Sequence, residues 1–159
     1  MKPLQFISLL AILGAPANAN ANANADAQRI EINNVYPLNQ ENFDLGDRIF
    51  HMTDNSGGFE VIEGPMDDGP TRCLGSGFGF EDGTNTITGI CVFGDGDDTF
   101  TMRWNAGEKG APNTWEIIIG TGRYEGMIGS GIATTDIVST YQALPLRRTR
   151  LVGTVEIPD

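Results

Sequence analysis

The chain has 159 residues and a formal charge of −11, from 21 acidic against 10 basic side chains, with one histidine and two cysteines. Nucleic acid and anionic membranes both need clustered positive charge, so this balance argues against either as a partner and leaves solubility as the plain meaning of the acidic surface. A lone histidine rules out a multi-histidine metal site, and the cysteines are better matched to each other than to a metal, so neither metal nor cofactor is expected.

Met1-Lys2 gives a short positive start and Leu4 to Leu13 a mostly apolar run ending at Gly14 and Pro16. That is the pattern of a signal peptide, and the run is too short to cross a bilayer that needs roughly twenty residues. Ala17-Asn18-Ala19 offers a small-residue cleavage site, and the alternation of alanine and asparagine to Ala25 offers several more. Residues 1–25 are therefore set apart as signal peptide and low-complexity segment, leaving 26–159 as a single domain. The expected location is secreted or periplasmic.

After the leader there is no amphipathic helical stretch of useful length, and 21 glycines punctuate short β-branched and aromatic runs. An all-β domain follows, with strands expected at Arg29–Tyr36, Arg48–Asp54, Gly58–Glu63, Arg72–Phe80, Thr84–Phe93, Thr99–Trp104, Thr114–Ile119, Tyr124–Thr135 and Arg147–Ile157. Phe80-Glu81-Asp82-Gly83-Thr84 reads as a hairpin whose three-residue loop ends in a left-handed glycine. Counting outward from Phe80 opposite Thr84 sets Cys73 directly across from Cys91, close enough for a disulfide. Two free buried thiols are the alternative.

Ile90-Cys91-Val92-Phe93 is apolar on both parities, which calls for cover on both faces of that strand, the outer one by a terminal segment or a partner subunit. Further on, Phe100-Thr101-Met102-Arg103-Trp104 alternates, as Trp115-Glu116-Ile117-Ile118-Ile119 does less cleanly. With Trp104 opposite Trp115, Arg103 meets Glu116 on the other side of the sheet, a favourable charge pair.

Gly120-Thr121-Gly122-Arg123-Tyr124-Glu125-Gly126-Met127-Ile128-Gly129-Ser130-Gly131 resembles the glycine signature of the allene oxide cyclase and dirigent barrel superfamily. With Gly89 to Asp97 and Arg103-Trp104, the likeness points to its exported bacterial branch and covers roughly Cys73 to Thr135. It implies an eight-stranded antiparallel closed barrel, a homotrimer whose contact covers the strand around Cys91, and a lumen for small apolar ligands. Where plant dirigent proteins have Ala-Arg-Gly, this chain has Met127-Ile128-Gly129, so the matching arginine is absent and no activity is carried over.

Other patterns are blander. Asp95-Gly96-Asp97-Asp98 fails the calcium-loop pattern, with Phe100 at the glycine position and Ala106 at the last ligand position, and reads as an acidic turn. Neither Ser76 nor Ser130 sits in Gly-x-Ser-x-Gly, and no nucleotide-binding glycine loop opens a helix.

The function that follows is an exported barrel binding a small, mostly apolar molecule, with Trp104, Trp115, Phe100 and Tyr124 as walls. An alternative is a cofactor-free cyclase or isomerase, in which Arg103 and Glu116 inside the barrel orient a polar head or move a proton and His51 is a second acid/base group. For these three the plainer readings are an exterior salt bridge and a structural histidine. A third reading is a structural or interaction barrel filled by its own side chains.

Overall fold

A computed structural model describes residues 26–141 and 144–158; the leader expected over 1–25 lies outside the described residues. Nine strands follow one another: β1 (Gln28–Pro37), β2 (Gln40–Asp44), β3 (Arg48–Glu63), β4 (Gly69–Phe80), β5 (Thr88–Asp95), β6 (Asp98–Asn105), β7 (Asn113–Gly120), β8 (Ile128–Tyr141) and β9 (Leu144–Glu156). All neighbours are antiparallel, and β1 pairs with both β9 and β3, so eight strands close into a barrel, and the extra strand β2 continues the line of β1 along the start of β3. Closure removes the exposed edges that an open sheet would present.

The register expected from the 80–84 hairpin holds. Phe80 N–H donates to the Thr84 carbonyl at 3.0 Å, Gly83 adopts φ +80°, and Cys73 lies opposite Cys91. The two cysteines form a disulfide spanning 18 residues, a closure that stabilises by about 3 kcal/mol in chain-entropy terms. Trp104 pairs with Trp115 and Arg103 with Glu116, also as expected.

Several expected elements are corrected. The strands expected at Arg48–Asp54 and Gly58–Glu63 are one strand, β3, which pairs with β2 over Ile49–Thr53 and with β1 from Gly58 on. At Gly57 a Cβ would meet Tyr36 Cβ at 2.8 Å, so the glycine marks a close approach of β1 within a continuous strand. The strand expected from Thr84 starts at Thr88, and the one expected from Tyr124 starts at Ile128, after a 3-10 turn over Gly122–Tyr124. The polar strand β2 carried no apolar alternation and was not expected.

Strict alternation decides what faces the lumen: even positions on β1 and β6, odd ones on β3, β4, β5 and β7. The half of the barrel near the 121–127 loop is solid. Phe93 and Phe100 stack at 4.9 Å between centroids, Phe59 meets both edge-on, and Tyr124 closes on Phe100 at 5.3 Å. Each such ring, fully buried, stabilises by about 1.5–3 kcal/mol. Met66 and Met127, from the loops at that end, complete the plug. Among the described residues, no helix is long and apolar enough to cross a membrane.

Candidate functional site: a cavity in the open half of the barrel

The other half of the barrel is not filled. A cavity of about 310 Å³ runs from the Phe93 floor to the end that carries the 81–83 turn. Its apolar wall is Met102, Trp104, Trp115, Leu151 and the Cys73–Cys91 disulfide, and its polar wall is built mainly from β1, β3, β8 and β9. The volume is at the lower end of the range for small-molecule pockets.

The tryptophans are seated by glycines. Following the register around the barrel, Gly75 pairs with Gly89 and Gly89 with Trp104, while Trp115 pairs with Gly131 and Gly131 with Gly153. A Cβ on Gly89 would stand 2.6 Å from the Trp104 ring, and one on Gly131 or Gly153 would stand 2.6 Å from the Trp115 ring. Each indole therefore lies over two glycines of the neighbouring strands, where any side chain would displace it. Trp115 is buried and donates its indole N–H to the Ile132 carbonyl at 2.9 Å, whereas Trp104 is half-buried.

On the polar wall, Tyr36 Oη and Thr135 Oγ1 both meet Thr149 Oγ1, at 2.9 and 2.8 Å. Asn34 is 3 % exposed; its amide reaches Cys73 Sγ at 3.7 Å, and its Oδ1 has no hydrogen-bond partner among the described residues. Arg147 also lines the cavity, and its buried Nε lacks a partner in the same sense. Sequence reading did not single out either residue. Their signal was present as parity: Asn34 continues the inward series Ile30-Ile32, and Arg147 shares parity with Thr149 and Leu151.

The expected site residues divide. Trp104 and Trp115 line the cavity, and His51 stands at its mouth. There Nδ1 of His51 lies 2.7 Å from Asn42 Oδ1, which also accepts from Gln40 Nε2 at 2.6 Å. Phe100 and Tyr124 do not line it: they are 0 % and 4 % exposed and belong to the plug beneath the floor. The Gly-Thr-Gly turn explains Tyr124, since Gly122 at φ +56° and Thr121, whose hydroxyl donates to the Asp97 carbonyl at 2.8 Å, fold the ring inward.

Arg103 and Glu116 require the larger correction. They pair on the outer surface, their side chains 54 % and 46 % exposed, with Arg103 Nε donating to Glu116 Oε1 at 2.8 Å. Neighbouring residues on a strand face opposite ways, so with both tryptophans inside, this pair is outside. It forms part of a belt of ion pairs on the outer face, which includes Arg72–Asp54 and Arg150–Glu31.

The features define a class: an all-β closed barrel with one plugged half and one hollow half. No family model, curated protein or solved structure matches this chain.

Proposed function

We propose that the protein is an exported barrel that binds a small, mostly apolar molecule in its open half. The observation that carries this reading is the 310 Å³ cavity with its indole and disulfide wall, left hollow in a chain that packs its other half solidly. A filled structural barrel would have no reason to seat two tryptophans on glycines beside a void. The disulfide supports export, because such bonds persist in oxidising compartments. Membership of the allene oxide cyclase and dirigent superfamily is part of the proposal, supported by the glycine signature and the eight-stranded closure.

The cyclase or isomerase reading is weaker than the binding one, since Arg103 and Glu116 lie outside and His51 alone of the three stands at the cavity. The homotrimer belongs to the proposal through Leu74, Ile90 and Val92, which are exposed together on the outer face of β4 and β5. Light scattering of the purified protein tests it, with a monomer mass counting against it.

Native mass spectrometry of protein recovered from two expression hosts tests the binding reading. A co-purifying mass that is lost on exchange into a Trp104→Ala variant supports it. Bare protein from both hosts, together with no uptake of added 2-naphthamide, overturns it.

A further inference from the structure

Of the eight arginines in the chain, seven have a carboxylate within 4.0 Å: Arg29, Arg48, Arg72, Arg103, Arg123, Arg148 and Arg150. Arg147 is the exception, with no ion pair among the described residues, and it is the one that faces the cavity. Its neighbour Arg148 points the other way and pairs with Asp136 at 3.8 Å. A chain with twice as many acidic as basic side chains thus leaves one arginine without an acidic partner among the described residues, and aims it inward.

We infer that Arg147 is the anchor for a negative charge on the ligand, and that the cavity takes a compact aromatic carboxylate. This rests on the lumen-binding reading and names its ligand class. A partly buried guanidinium without a counter-ion has lost hydration that a ligand carboxylate restores, and its planar fork matches a carboxylate in two parallel hydrogen bonds. A single cation suits a monoanion; a phosphate dianion would meet one positive group in a strongly acidic protein.

The rest of the ligand follows from the other walls. At ~30 Å³ per water the cavity holds the equivalent of about ten waters, too little to enclose a long acyl chain but enough for one or two fused rings. Trp104 and Trp115 offer such rings flat, rigid surfaces to lie against. Between Arg147 and the floor, the unpartnered Asn34 Oδ1 is an acceptor that a hydroxyl on the ligand would satisfy.

The test compares 2-naphthoate with 2-naphthamide, which share a shape and differ in charge, by calorimetric titration of the protein at neutral pH. The carboxylate is expected to bind at least about tenfold more tightly than the amide, the value of one charge-assisted contact. In Arg147→Gln the two probes are expected to bind alike at the amide's affinity, while Arg148→Gln, which removes the same charge from the outer face, keeps the preference. Arg147→Lys, which retains the charge without the fork, is expected to keep part of it and serves if the glutamine variant does not fold. Equal binding of both probes by the unaltered protein, or a preference that survives Arg147→Gln, overturns the role of Arg147 and leaves the lumen reading standing. Binding of neither probe overturns the lumen reading itself, and this inference with it.

Discussion

Trp104 and Trp115 lie directly across from each other on β6 and β7, yet their rings lean in opposite directions around the barrel, one over Gly75 and Gly89, the other over Gly131 and Gly153. The hollow half of the lumen is the consequence: two large side chains flatten against their neighbours where they would otherwise meet in the middle.

Substitutions at these glycines separate by what a new methyl group meets. At Gly131 it meets the Val152 carbonyl and Gly153 Cα at 2.8 Å as well as the indole, all but the ring being backbone. Gly131→Ala is expected to destabilise by about 1–3 kcal/mol, the usual cost of overpacking, read by urea denaturation. At Gly75 it meets the Trp104 ring and, at 3.2 Å, Thr53 Oγ1, both side-chain atoms. Gly75→Ala is therefore expected to be the milder change and to shift Trp104 fluorescence as the indole swings into the cavity.

Inside and outside of the barrel differ sharply in what truncation costs. Phe93→Ala empties the stack that forms the cavity floor and is expected to cost about 3–5 kcal/mol. Breaking the exposed pair with Arg103→Ala or Glu116→Gln is expected to change stability by less than about 1 kcal/mol and to leave ligand affinity unaltered. A large loss of affinity in either variant would return the pair to the functional site.

Acid should loosen the outer belt of charge. Hydrogen bonds from Arg150 hold the Glu31 carboxyl below its usual range, with further help from the charge of Arg29; Arg72 does the same to Asp54, and the Thr84 hydroxyl and amide to Asp82. Carboxyls depressed in the folded state stabilise it fully above the unfolded value, and that contribution disappears as pH falls through the folded value. Tm is thus expected to stay level from neutral pH down to the ordinary carboxylate range and to fall below it. Glu31→Gln should make that fall shallower, and a profile unchanged by the substitution would contradict this assignment.

What the sequence made legible was local or periodic. A left-handed glycine at position 83 set the register of β4 and β5, and with it the disulfide. Alternation about the two tryptophans set β6 against β7. The same alternation already forbade Arg103 and Trp104 from sharing a face, so a lumen holding both was never available. Phe100 and Tyr124 were correctly apolar and inward, but which half of a barrel is filled depends on loops from the far end, such as Met66 and Met127, and no strand pattern carries that. The gap left between Arg48–Asp54 and Gly58–Glu63 fell at a glycine pair, because glycines mark a chain reversal and a close approach of neighbouring strands alike. Arg147 was hidden by its neighbours: in Arg147-Arg148-Thr149-Arg150 three cations read as one solvated run until parity sends the first of them inward.

The most direct measurement is the pair of indole N–H signals in a proton–nitrogen correlation spectrum, because both tryptophans of the chain line the cavity. Titration with 2-naphthamide is expected to move the Trp104 signal, and less strongly that of Trp115, whose N–H is held by the Ile132 carbonyl, along one saturable curve. If both signals stay in place while resonances of outer-face residues such as Ile90 or Arg103 shift, the ligand lies outside the barrel and the lumen-binding account is wrong.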